Sequence, residues 1–223
     1  MTSLRAVLFD LEGTLVRTAP ISKIFLKILR NHGVHVYFDI DEKMFPELLK
    51  EMNLESFKLP YREFWRIYNL RVLERFGVNG NLEKLADILT DEWWENAELE
   101  VYPEVKDTLN AIRRRGLKMG VVSNGFQTDI HEIILRTGLK AKFDITVGVD
   151  NVGKPKPYKE IFNYALEKLK VKPYEALFIG DNPETDYKGA EKAGLKPLLI
   201  DRENKIHGPY RKIRNLKEVI KFL

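Results

Sequence analysis

Apolar positions along the chain keep two different periods, and the changes of period mark out its organisation. Residues 4–10 hold an unbroken apolar run, Ala6-Val7-Leu8-Phe9, that stops at Asp10. A short run of this kind ending in a turn predicts a strand buried on both faces, as strands of a parallel sheet are. From residue 18 to 100 the spacing becomes helical. Ile21, Ile24, Phe25, Ile28 and Leu29 share one helix face, and Gly33 closes that helix. Phe45, Leu48, Leu49 and Met52 line a second helix over residues 42–52, with Pro46 in its first turns. Phe64, Ile67, Tyr68, Val72, Leu73 and Phe76 line a third, between Pro60 and Gly77. Leu85, Ile88, Leu89 and Trp93 line a fourth over residues 82–96. A block of this length with no strand character predicts an inserted helical lid or cap.

Strands and helices alternate from Pro103 onwards. Strands are expected at 117–122, 143–149, 176–180 and 197–200, and helices at 105–116, 130–137, 158–169 and 184–193, with a short helix at 216–222. Such alternation predicts an α/β fold: a doubly wound parallel sheet covered on both faces. The expected division is a Rossmann-like core of residues 1–17 and 101–223 and an all-helical cap domain of residues 18–100. No internal repeat or low-complexity stretch interrupts this pattern.

Composition narrows the chemistry. The 223 residues include no cysteine, which excludes disulfides, thiolate zinc sites and cysteine nucleophiles. The first apolar run is too short for a signal peptide, and no stretch approaches the roughly 18 apolar residues of a membrane span. A cytoplasmic protein with no membrane partner is therefore expected. A net charge of +4 favours small anionic substrates but is too weak and dispersed to argue for nucleic acid. Charged residues make up 31% of the chain and glutamine occurs once, at Gln127, which leans towards a thermophile source. Monomer and homodimer are equally compatible with the sequence.

The polar candidates follow predicted strands, on the rim where open α/β sheets bind ligands. Asp10 and Glu12 end the first strand two residues apart, with Gly13 and Thr14 in the turn behind them. Ser123 and Asn124 follow the second strand, and Asp181 with Asp186 follows the fourth. The loop Gly153-Lys154-Pro155-Lys156-Pro157 offers two lysines, of which Lys154 is favoured over Lys156 by its spacing to the prolines. Asp10 and Asp181 can hold Mg²⁺, a hard cation that keeps several waters. Asp10 can then attack phosphorus, Glu12 can serve as general acid and base, and Lys154 can supply positive charge. Gly13, Thr14, Ser123, Asn124 and Lys154 are the expected substrate contacts, through hydroxyls, amides and the ammonium. Arg113-Arg114-Arg115 reads as a solvated helix end, Trp93-Trp94 and Phe64-Trp65 as cap core, and the four histidines have no metal-ligand spacing.

These segments, in order, resemble the four motifs of the haloacid dehalogenase superfamily: DLEGT from Asp10, VVSNG with Ser123, GKPKPYKEIF with Lys154, and GDNPETD with Asp181 and Asp186. Nearly the whole chain is covered, and the helical insert after the first strand is similar to a C1-type cap. The resemblance implies a Mg²⁺-dependent phosphatase of a small phosphorylated metabolite, with an aspartyl-phosphate intermediate on Asp10. It also implies that Glu12 is the acid/base while its carbonyl faces the metal, and that Asp186 is a metal ligand or a partner of Lys154. Phosphatases of this kind usually carry Asp where this chain has Glu12, although the Glu form also occurs in enolase-phosphatases. A C–halogen hydrolase and a catalytically impaired binding protein are the alternative readings.

Overall fold

The structure is a computed structural model and describes residues 3–37, 40–139 and 142–223. In chain order the strands are β1 (Ala6–Phe9), β2 (Val16–Thr18), β3 (Leu99–Val101), β4 (Lys118–Val122), β5 (Ile145–Val147), β6 (Ala176–Gly180), β7 (Lys196–Ile200) and β8 (Lys212–Ile213). The α-helices are α1 (Ile21–Asn31), α2 (Met44–Glu51), α3 (Tyr61–Arg75), α4 (Leu82–Asn96), α5 (Val105–Arg114), α6 (Gln127–Arg136), α7 (Lys159–Leu169) and α8 (Lys188–Lys192). The chain divides into two compact units, Met1–Arg17 with Glu100–Leu223, and Thr18–Leu99.

The first unit is built on a six-stranded sheet of order β5-β4-β1-β6-β7-β8, parallel throughout. All four residues of β1 are fully buried, as expected of a strand with parallel neighbours on both sides. Strand order reverses at β1, which opens a crevice beyond its carboxyl end. In register, Leu8 lies between Gly120 of β4 and Phe178 of β6. Gly120 is a packing requirement, because a Cβ there would sit 2.8 Å from Leu8 Cδ2 and 2.7 Å from Ile145 Cγ2. Ile161, Phe162, Ala165 and Leu166 of α7 pack with Ala6, Leu8, Val122 and Phe178 into one cluster, burying its apolar stripe.

Some elements depart from the sequence pattern for local reasons. Helix α6 starts at Gln127, earlier than its periodicity implies, because the Asp129 carboxylate accepts the Phe126 N–H at 3.0 Å. The strand expected at 143–149 narrows to β5 and gives way to a 3₁₀ turn, Val149–Asn151. The helix expected at 184–193 is a π-turn, Pro183–Tyr187, followed by α8. Residues 216–222 are a 3₁₀ helix.

The second unit packs α1 to α4 around an aromatic centre. Phe25, Phe45 and Phe76 meet edge to face at centroid distances of 5.4–5.9 Å. Buried polar side chains pair across this core: Tyr68 Oη donates to Phe45 O at 2.9 Å, and Asn69 Nδ2 donates to Thr90 Oγ1 at 3.0 Å. Arg62 bridges Asp87 and Asp91, and Arg66 bridges Asp87 and Glu83, which ties α3 to α4 along the exposed side. Trp65 packs against Tyr68, and Trp94 Nε1 donates to Tyr61 Oη at 3.0 Å. Among the described residues no helix is long and apolar enough to cross a membrane.

Candidate active site

Asp10 is the first residue beyond β1, and its N–H donates to Ile179 O of β6 at 2.8 Å. That bond keeps the chain in register with β6 up to the edge of the crevice. Gly13 follows with φ +75°, and a Cβ there would lie 2.3 Å from Asp181 Oδ2. Only glycine lets the turn after β1 and the carboxylate after β6 come this close. Gly180 does the same on β6, where a Cβ would lie 2.3 Å from Asp186 Oδ2. Asp186 is fixed in the π-turn, its Oδ2 accepting the Asn182 N–H at 3.0 Å. Asp10, Asp181 and Asp186 each bring a carboxylate oxygen to within 4.8 Å of the others.

One ammonium enters this cluster. Lys156 Nζ lies 2.5 Å from Asp10 Oδ1 and 2.7 Å from Asp186 Oδ1, with its side chain 3% exposed. Its charge also sits 5.6 Å from the centroid of the Phe178 ring. Burial works against the ammonium, but Asp10 and Asp186 outweigh it and hold Lys156 charged, well above the ordinary lysine range. Burial pushes the Asp10 carboxyl up. Lys156 pulls it back, Asp186 and Asp181 add to the rise, and it is pushed up to about 8. Burial and Asp186 push Asp181 up to about 6. Three carboxylates crowd one ammonium in a largely buried site, and the rises of Asp10 and Asp181 express negative charge that Lys156 alone does not offset. A divalent cation would favour the ionised form of each carboxylate, and an all-oxygen donor set suits Mg²⁺.

The expectation for Lys154 is corrected. Lys154 is 41% exposed along its side chain and bonds Glu160 Oε1 at 2.6 Å, so it does not meet Asp10. Lys156 occupies that position because Asn124 fixes its backbone. The Lys156 N–H donates to Asn124 Oδ1 at 2.6 Å, and Asn124 Nδ2 donates to Lys156 O at 3.2 Å. The Asn124 side chain is therefore engaged with the lysine loop, where the sequence reading expected a substrate contact.

The remaining candidates are placed as follows. Ser123 directly follows β4, its N–H donating to Val147 O at 3.0 Å and its Oγ accepting the Gly125 N–H at 3.1 Å. Thr14 is fully buried, and its Oγ1 has no hydrogen-bond partner among the described residues. Glu12 is exposed, and its carboxylate lies outside the Asp10–Asp181–Asp186 cluster.

The sequence matches the haloacid dehalogenase-like hydrolase family over residues 4–194. The chain belongs to that family. Among curated relatives, the glyceraldehyde 3-phosphate phosphatase of Methanopyrus kandleri is 31% identical over 205 residues, covering 89% of this chain and 84% of its own. Among solved structures, a haloacid dehalogenase-type phosphatase of Thermococcus onnurineus is 28% identical with a TM-score of 0.68, over 98% of this chain and 97% of its own. A 2-haloacid dehalogenase of Pseudomonas syringae pv. Tomato is 26% identical with a TM-score of 0.73, over the same shares of the two chains. The family hydrolases thus include both C–O–P and C–halogen chemistry among this chain's neighbours, and the site must decide between them.

Proposed function

We propose that the protein is a Mg²⁺-dependent phosphatase of a small phosphorylated metabolite. The carrying observation is the buried group formed by Asp10, Asp181, Asp186 and Lys156, an excess of three carboxylates over one ammonium. That excess favours phosphoryl transfer, where a divalent cation and a phosphate dianion occupy the site together. A carboxylate attacking a haloalkanoate needs no such cation. Asp10, Asp181 and Asp186, with the Glu12 carbonyl, are the proposed holders of Mg²⁺, which when bound neutralises charge on the phosphoryl oxygens.

This chain's own residues carry the two steps. An Asp10 carboxylate oxygen attacks phosphorus, the bond from phosphorus to the leaving oxygen breaks, and Glu12 gives that oxygen its proton. Water then attacks the phosphorus of the aspartyl phosphate while Glu12 takes back a proton. The bond between phosphorus and Asp10 breaks, releasing inorganic phosphate and free Asp10. Lys156 favours the ionised nucleophile and orients it, and Ser123 with the amides after it binds the transferring group. The phosphatase relative puts phosphorylated three-carbon compounds first in a substrate screen.

Asp10→Asn is expected to remove hydrolysis of an aryl phosphate and of any hit in that screen, with the circular dichroism spectrum unchanged. Full activity in Asp10→Asn would remove the nucleophile assignment. Chloride release from a 2-haloacid without added metal would favour the dehalogenase reading, and silence across the screen with Mg²⁺ present would favour a binding protein.

A further inference from the structure

The turn that carries Glu12 is held from a distant part of the chain by an arginine that belongs to none of the four motifs. Arg202 follows β7 by two residues. Its Nε donates to Gly13 O at 3.2 Å, its Nη2 to Thr14 O at 2.7 Å, and its Nη1 to Glu104 Oε1 at 2.7 Å. The guanidinium carbon lies 3.5 Å from the centroid of the Tyr102 ring. The N–H groups of the turn are satisfied locally, Gly13 N by Val16 O and both Leu15 N and Val16 N by Leu11 O. Its Gly13 and Thr14 carbonyls face the other way, and Arg202 takes both with one planar group.

The arginine is itself held on every side. Arg202 is 17% and Glu104 12% exposed along their side chains. Glu104 Oε1 also accepts the Leu216 N–H at 3.2 Å. Tyr102 N donates to Leu15 O at 3.2 Å, on the far flank of the same turn. Asp201, beside Arg202, accepts the N–H groups of Lys205 and Ile206 at 2.9 and 3.1 Å and pairs with Lys212 at 3.0 Å, which fixes the segment after β7. A side chain this constrained, spent on two main-chain carbonyls, has its effect through the turn it holds.

We infer that Arg202 is a positioning residue: it sets the Glu12–Thr14 turn, and through it the direction from which the Glu12 carboxylate reaches the substrate. The inference rests on the phosphatase reading for its catalytic consequence, and on geometry alone for the holding of the turn. Displacing an acid/base by about 1 Å costs on the order of a hundredfold in rate. Arg202→Met keeps an apolar side chain of similar length and removes the three donors. Arg202→Lys keeps the charge but lacks the planar fork that reaches all three acceptors at once.

The experiment combines turnover of an aryl phosphate with amide hydrogen exchange on the wild type, Arg202→Met, Arg202→Lys, Glu12→Gln and the double variant Glu12→Gln with Arg202→Met. Both arginine variants are expected to lose about tenfold to a hundredfold in kcat, with KM changed by less than about threefold. The amides of Gly13, Leu15 and Val16 are expected to exchange faster in both, while those of Phe178 and Ile179 are unchanged. In the Glu12→Gln background the arginine change is expected to cost less than about threefold, because the group it positions is already gone. Losses that multiply in the double variant would overturn the inference, as would unchanged exchange at Gly13 to Val16. Wild-type turnover in Glu12→Gln would instead refute the acid/base assignment, and the exchange data would still decide whether Arg202 holds the turn.

Discussion

Lys156 carries its charge between two carboxylates, 2.5 Å from Asp10 and 2.7 Å from Asp186, with almost none of its side chain in solvent. Removing one partner of a buried ion group leaves the rest uncompensated, typically at a cost of about 3–5 kcal/mol. Lys156→Met is therefore expected to lower stability measurably and to reduce turnover by at least about a hundredfold. Lys154→Met, which breaks an exposed pair with Glu160, is expected to keep turnover within about twofold of the wild type and the melting temperature nearly unchanged. Steady-state kinetics and thermal melts on the two variants separate the assignments. The contrast also marks where residue-scale reading stops. Asp10, Asp181 and Asp186 were legible because each lies beyond a strand whose apolar run is plain. The two lysines share the same local surroundings, each before a proline, and the choice between them is made by Asn124 and by Asp10, 146 residues away in the chain.

The elements that carry the site are short and are held by contacts between, more than within, themselves. Runs such as 6–9 and 176–180 could be read as strands because every residue in them is buried. β2 and β3 are three residues long and β8 two, too short to show any period. The π-turn Pro183–Tyr187 follows from the close fit of Asp186 to Gly180 and Asn182, which no helical period announces. Glu104, at the start of α5, shows how such contacts respond to pH. Burial alone would raise its carboxyl, but Arg202 and the Leu216 N–H outweigh this and hold it below 4.5. The folded form therefore binds fewer protons than the unfolded chain in the acid range. Its contribution to stability is present above 4.5 and is lost as pH falls through the folded-state value. Glu104→Gln is expected to lower stability near neutrality and to flatten the decline on acidification, measured by urea melts from about pH 3 to pH 7. A decline as steep as that of the wild type would exclude Glu104 from the acid limb.

At the scale of the whole molecule, the doubly wound sheet brings residues from three strand ends into one group of three carboxylates and one ammonium, a donor set that suits a divalent cation. A ligand that binds only the folded form stabilises it. About a hundredfold excess of Mg²⁺ over its dissociation constant is worth about 2.7 kcal/mol, or roughly 5–10 °C in melting temperature for a chain of this size. That shift is expected in the wild type and is expected to be largely lost in Asp186→Asn. An equal shift in both would move the cation elsewhere. The covalent step can be caught directly. Glu12→Gln keeps the nucleophile but removes the base that activates water, so incubation with an aryl phosphate bearing a good leaving group should let the phosphoryl-enzyme accumulate. Rapid acid quench and peptide mass spectrometry are expected to find the phosphoryl group on the peptide containing Asp10, at that side chain. A phosphoryl group on any other residue, or turnover with no modified peptide under single-turnover conditions, would contradict Asp10 as the nucleophile.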